Sequence, residues 1–183
     1  VVSNPSKGTI SGGTGASRTY TPNTNANGSD SFTFRVNDGT VNSGTATVSI
    51  TITAVNDAPV ASAQSVSTAE DTAKSITLGA SDPDGDTLTW TILTTPSSGT
   101  LSGSGANRSY TPNSNFNGSD SFTFRVSDGS LSSGAATVSI SVTAVNDAPS
   151  ANAQSVTVTE DTARSITLSG SDPDGNPLSY SIV

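Results

Sequence analysis

The sequence contains no cysteine, no methionine and no histidine, and only 5% of its residues are aromatic. Without cysteine there is no disulfide and no thiol chemistry. A small exported domain then needs another staple, and a metal ion is one. Without histidine the usual proton shuttle and the commonest zinc ligand are missing. Charge is scarce at 12% of residues, and it is one-sided: 7 Lys and Arg against 15 Asp and Glu, a net charge of −8. That balance argues against nucleic acid and against anionic membrane surfaces as partners. No apolar run approaches the roughly 20 residues of a membrane span. No segment has helical periodicity either. What is present is Ser, Thr, Asn and Gly in abundance. Such a composition can signal disorder. Here apolar residues recur in strict alternation, as half-buried strands require.

The sequence also repeats itself. Asn27–Val36 reads NGSDSFTFRV, and so does Asn117–Val126. TAVNDAP occurs at Thr53–Pro59 and at Thr143–Pro149, Glu70-Asp71-Thr72 recurs at Glu160, and Asp82-Pro83-Asp84-Gly85 recurs at Asp172. The period is about 90 residues. Between Ile10 and Tyr20 the first copy carries one extra residue. The two NDAP linkers divide the chain into three parts: residues 1–57 as the latter part of one repeat, 58–147 as a complete repeat, and 148–183 as the first part of a third. Within the complete repeat, alternation predicts seven short strands. Val66 lies on A, Ile76 and Leu78 on B, and Leu88, Trp90 and Ile92 on C. Leu101 marks D and Tyr110 marks E. Phe122, Phe124 and Val126 lie on F, and Val138, Ile140 and Val142 on G. Turn signals at regular spacing between such strands are the mark of an immunoglobulin-like sandwich. The fold expected is all-β: tandem seven-stranded antiparallel sandwiches. The core should hold Ile76, Leu88, Trp90, Ile92, Phe122, Phe124, Val126, Val138 and Ile140. Core packing is likewise the simplest reading of Tyr110.

All 15 acids are expected in repeated turns or linkers, none on a strand face. Successive strands alternate in direction, which sorts the acids by end of the sandwich. Glu70, Asp71, Asp120, Asn146 and Asp147 share one end of the complete repeat. Asp82, Asp84, Asp86 and Asp128 share the other. Stacked repeats bring Asp172 and Asp174 against Glu70, Asp120 and Asp147. Carboxylates so gathered repel without a counter-ion, and six to eight oxygens from Asp, Glu and Asn are what Ca²⁺ takes. Each motif by itself is also an ordinary turn or linker sequence. It is their joint placement at repeat junctions that points to calcium.

Four stretches carry a resemblance: VTVTEDT from Val156, SDPDGDTLTW from Ser81, YTPNSNFNGSDSFTFRVSDG from Tyr110, and VSISVTAVNDAP from Val138. Together they resemble the cadherin-like, or bacterial Ig-like, tandem repeats of large surface adhesins. The order is similar to that of eukaryotic cadherins, whose repeats ligate calcium at each joint. The resemblance implies that Glu70, Asp120, Asn146, Asp147, Asp172 and Asp174 serve the second joint. It implies that Asp30, Asn56, Asp57, Asp82, Asp84 and Asp128 serve the first, with Asp86 completing the turn there. Two departures stand out. The motif before strand F has one acid where cadherins have two, and Asp86 is matched by Asn176 in the next copy. The function expected is a calcium-stiffened structural or adhesive segment of a secreted or cell-surface protein or extracellular filament. Its partners would be neighbouring repeats of the same or an identical chain, and a cell-surface or matrix ligand. An enzyme is not expected, because the acids lie at repeat ends and no nucleophile–base constellation exists. The alternative is a carbohydrate- or ice-binding module that uses an exposed sheet face such as Thr47, Ser49, Thr51 and Thr53.

The phase of the repeat adds one expectation. Val1-Val2 and Ile182-Val183 both align with Ile92-Leu93, inside strand C. Residues 1–55 therefore lack strands A and B, and 150–183 carry the strands of that type. A composite sandwich would set Val156, Ile166, Leu168 and Leu178 against Phe32, Phe34, Val48 and Ile50. Either a longer array or a second chain in strand complementation supplies such a partner. The array is the simpler source, because domain boundaries fall at linkers.

Overall fold

The structure, a computed structural model, describes residues 1–12 and 15–183. It forms two compact units, and no helix occurs among the described residues. One unit comprises residues 1–59 together with 81–88 and 127–132; the other comprises 60–80, 89–126 and 133–183.

In the first unit β1 (Gly8–Ser11) pairs antiparallel with β2 (Thr19–Pro22), and β3 (Gly28–Phe34) with β4 (Ala46–Ile52). The extra residue of the first copy falls in the sequence between β1 and β2, where residues 13 and 14 lie outside the described residues. The ladders on either side keep the same register in both copies: Ile10 faces Tyr20, as Leu101 faces Tyr110.

The complete repeat follows. Its strands are β5 (Val60–Ala61), β6 (Gln64–Ala69), β7 (Lys74–Thr77), β8 (Ala80–Ser81), β9 (Thr89–Thr94), β10 (Gly99–Ser104), β11 (Asn107–Pro112), β12 (Gly118–Ser127) and β13 (Ala136–Thr143). Seven of them make two sheets, ordered β6-β13-β12-β9 and β10-β11-β7. This is the immunoglobulin-like sandwich that the alternation predicts. The expectation of wholly antiparallel pairing needs one correction, because β13 pairs parallel with β6. First and seventh strands of an alternating series run the same way, so a contact between them has to be parallel. In the third segment β14 (Ser150–Ala151) pairs with β15 (Gly170–Ser171).

The core lies between the two sheets. β13 alternates buried and exposed along its whole length. Phe122, Phe124, Val126, Val138, Ile140 and Val142 of one sheet, Ile76 and Tyr110 of the other and Leu78 just beyond β7 are all buried. Each such apolar side chain contributes about 1.5–3 kcal/mol by leaving water. Leu88, Trp90 and Ile92 depart from the expected core and are only half-buried. Trp90 and Ile92 lie on β9, which sits at the edge of its sheet and has one neighbouring strand. Alternation marks the inward side of a strand; it does not say whether that strand is central or at an edge.

Candidate metal centres

The acidic turn of the complete repeat is built around Asp82. Its Oδ1 accepts the backbone N–H groups of Asp84 at 2.9 Å and Asp86 at 3.2 Å. Gly85 supplies the left-handed residue that closes the turn, at φ 79°. A side chain there would be strained. The turn folds three carboxylates toward each other: Asp82, Asp84 and Asp86 each place one oxygen within 4.8 Å of the others. Asp82 Oδ2 is buried and has no hydrogen-bond partner. The third segment repeats the device. Asp172 Oδ1 accepts from Asp174 N at 3.0 Å and Asn176 N at 3.1 Å, with Gly175 at φ 74°.

The linkers dock on these turns by the same bond twice. Asp57 N donates to Asp84 Oδ2 at 2.7 Å, and Asp147 N donates to Asp174 Oδ2 at 2.7 Å. In the first unit Asn56 Nδ2 also donates to Asp128 Oδ2 at 2.8 Å, while Asp128 Oδ1 accepts from Ser130 N and Leu131 N, both at 2.6 Å. The Asn56 amide, with those backbone N–H groups, holds the Asp128 carboxyl below its usual range. Asn146 Oδ1 accepts instead from Asn176 Nδ2 at 3.1 Å.

The second unit adds a buried acid. Glu70 follows β6, and its N–H donates to Thr143 O at 2.9 Å. Its side chain turns inward and is 3% exposed, with Oε1 accepting from Val145 N. Oε2 is buried with no partner, and so is Asp147 Oδ2. Glu70, Asp147 and Asp174 place one carboxylate oxygen each within 4.8 Å of one another. Burial raises the Asp147 carboxyl above its ordinary value, and the charges of Asp174, Asp71, Glu70 and Asp172 raise it further. Desolvated, mutually repelling oxygens without donors are a poor structural device and a good set of ligands for a hard cation.

The structure thus gathers the expected residues into two groups. Asn56, Asp57, Asp82, Asp84, Asp86 and Asp128 fall in the first unit; Glu70, Asn146, Asp147, Asp172 and Asp174 fall in the second. It does not bring Asp30 or Asp120 into either group. Asp120 is buried, and its oxygens accept from Ser97 N at 3.0 Å, Ser98 N at 2.9 Å, Ser121 N at 2.8 Å and Tyr110 Oη at 2.9 Å. Asp30 does the same with Ser6 N, Lys7 N and Ser31 N at 2.9 Å and Tyr20 Oη at 2.7 Å. Burial pushes both carboxyls up, but these donors outweigh it and hold both low. Burial and the neighbouring carboxylate in turn push Tyr20 up to about 12. This anchor escapes a reading of the acids alone. Its signal is a repeated Tyr ten residues before the Asp, as in Tyr110 and Asp120, plus a repeated glycine. A Cβ on Gly99 would lie 2.5 Å from the Tyr110 ring, and one on Gly8 would lie 2.5 Å from the Tyr20 ring.

A bacterial Ig domain profile matches residues 1–51 and 56–141. Among curated proteins the chain is similar to integrin beta-like protein A of Dictyostelium discoideum, at 32% identity over 91% of this chain and 10% of that protein. Among solved structures it resembles the endo-fucoidan hydrolase MfFcnA4 of glycoside hydrolase family 107, at 31% identity and TM-score 0.42, over 70% of this chain and 20% of that one. It also resembles the endo-fucoidan hydrolase MfFcnA9 of the same family, at 23% identity and TM-score 0.38, over 74% of this chain and 26% of that one. The chain therefore spans a small part of each relative's length.

Proposed function

Because the chain belongs to the bacterial Ig domain family, we propose that it is a structural and adhesive repeat segment of a secreted or surface-exposed protein, stiffened by Ca²⁺ where its repeats meet. The repeats are taken as 1–57, 58–147 and 148–183. The observation that carries the reading is the pair of buried, donorless oxygens, Glu70 Oε2 and Asp147 Oδ2, gathered with Asp174. All three ligand types are hard oxygens, which suits Ca²⁺ better than softer metals. Asn146 and Asp172 lie in the same linker and turn and would complete the set. Asp82, Asp84 and Asp86, with Asn56, Asp57 and Asp128, form the corresponding first group. Linker and turn oxygens bound to one ion would lose their freedom to move apart, so the ion would act as a spacer lock.

Isothermal titration of the chain with Ca²⁺ after chelator treatment tests this. Heat of binding that falls in the Glu70→Gln variant by the share of the second group supports the reading. A chain that takes up no Ca²⁺ at millimolar concentration refutes it.

A second reading, an exposed face that binds glycan or ice, has one observation in its favour. The ladders set Ser65, Ser139 and Ser121 in one row and Ser67, Ser141 and Ser119 in the next, across three strands. Retention on a polysaccharide column that Ser139→Lys abolishes would favour it.

A further inference from the structure

The complete repeat leaves one edge of its larger sheet open. β9, Thr89–Thr94, has β12 on one side and no strand on the other among the described residues. Backbone N–H and C=O groups along such an edge can pair with another strand. The inward side chains of β9 show the same deficiency. Trp90 and Ile92 are only half-buried, whereas Phe122, Phe124 and Val126 on the neighbouring β12 are fully buried. Trp90 Nε1 is buried without an acceptor, so the ring is held by packing alone. On the outer side Leu93 is 45% exposed.

The other edges of this sandwich are built differently. β7 carries Lys74, and β10 carries Gly99 and Gly103, the latter left-handed at φ 93°. A charge or an interior glycine weakens an edge as a template for pairing. β6 reads QSVSTA and offers a single large apolar side chain. β9 reads TWTILT, with no charge, no proline and no glycine, and with three large apolar side chains. An uncharged edge of such β-propensity is the composition that pairs with another strand.

We infer that β9 is a self-association edge: two copies of this chain join β9 to β9, antiparallel, so that the sheet β6-β13-β12-β9 of one runs on into that of the other. The strand is complementary to itself. A two-fold axis at Thr91 sets Trp90 opposite Ile92 and Thr89 opposite Leu93, so inward residues meet inward ones and outward meet outward. Aromatic and β-branched residues so opposed are the pairs that stabilise a sheet. Charge selects the same edge. A chain of net charge −8 repels its copies, but β9 holds no acid. The acid preceding it in sequence, Asp86, would lie on the order of 30 Å from its mate across the axis. That is well beyond the roughly 10 Å over which salt leaves such repulsion effective. The contact is isologous, so it closes at two chains. It goes beyond the calcium reading and does not rest on it.

Light scattering after gel filtration of the full chain, over a range of concentrations and in chelator, tests the pairing. The wild type is expected to rise from the mass of one chain to that of two and to stop there. The emission of Trp90, the sole tryptophan, should shift to the blue as the pair forms. Thr91 is exposed and lies on the axis, so Thr91→Lys and Thr91→Glu each set like charges against each other and should stay at one chain. Like charges directly opposite destabilise a strand pair. Mixed in equal amounts, the two variants should pair again, Lys against Glu. Thr137→Lys puts the same charge on β13, a central strand, and should pair like the wild type. Circular dichroism verifies that each variant folds. A wild type that stays single at every concentration overturns the pairing, and so does growth beyond two chains. A Thr91→Lys chain that pairs like the wild type, a mixture that fails to pair, or a loss of pairing in Thr137→Lys overturns it equally.

Discussion

At the scale of single residues, chemically identical carboxylates do two different jobs. Asp120 sits among five donors and is satisfied; Glu70 and Asp147 each keep a buried oxygen with no donor. Substitution should separate them. Asp120→Asn replaces an acceptor by an amide that points a donor at other donors, and should cost about 1–3 kcal/mol in urea unfolding, with Ca²⁺ or without. The sign of its pH dependence follows from the lowered carboxyl. A carboxyl lower in the fold than in the unfolded chain stabilises fully above its unfolded value, about 3.9, and that stability is lost as pH falls through the folded value. Wild type and Asp120→Asn should therefore differ most near neutrality and converge in urea midpoint below about pH 3.9. Glu70→Gln should behave oppositely with respect to metal. Without Ca²⁺ it relieves repulsion on Asp147 and leaves stability equal or higher; with Ca²⁺ it loses the part of the gain that the second group supplies.

At the scale of elements, position in the sheet decides what an apolar residue is worth. Phe124 lies on β12 between two other strands and is fully buried, while its counterpart Phe34 is only half-buried. Phe124→Ala should cost about 3–5 kcal/mol. Phe34→Ala should cost clearly less, because its half-buried side chain leaves a smaller cavity. Denaturant melts of the two variants measure the difference. The same logic explains Trp90, whose inward phase is correct but whose strand is an edge. The turn around Asp82 is a second element whose conformation is local: Gly85→Ala places a side chain at φ 79° and should loosen the gathering of Asp82, Asp84 and Asp86, seen as weaker Ca²⁺ binding at the first group alone.

At the scale of the whole molecule, Ca²⁺ that binds only the folded chain adds stability by mass action, about 2.7 kcal/mol at a hundredfold excess over its dissociation constant. Chelation should lower the melting temperature, and small-angle scattering should report a broader distribution of lengths once the linkers at Asp57 and Asp147 are released. Asp172→Asn with Asp174→Asn should remove the effect at the second group and leave the first. A melting temperature and a scattering profile that are both indifferent to chelator would remove calcium from the account.

Period, strands and sandwich are legible in the sequence, because strand alternation, turn residues and repeats are local patterns; the expected restriction of every acid to turns and linkers is not met, since Asp30 lies on β3 and Asp120 on β12. Alternation of strand direction also sorts the acids by end, since it needs no distances. Tertiary structure alone decided which acids converge. Asp30 and Asp120 lie within β3 and β12, where backbone N–H groups from Ser6–Lys7 and Ser97–Ser98, far off in sequence, reach and satisfy them. Packing of the Tyr20 and Tyr110 rings against Gly8 and Gly99 completes that choice. Burial of Glu70 and half-exposure of Trp90 were likewise beyond the sequence, because each depends on which strands become neighbours. A pattern along the chain states which side of a strand is apolar; only the assembled sheets state what covers it.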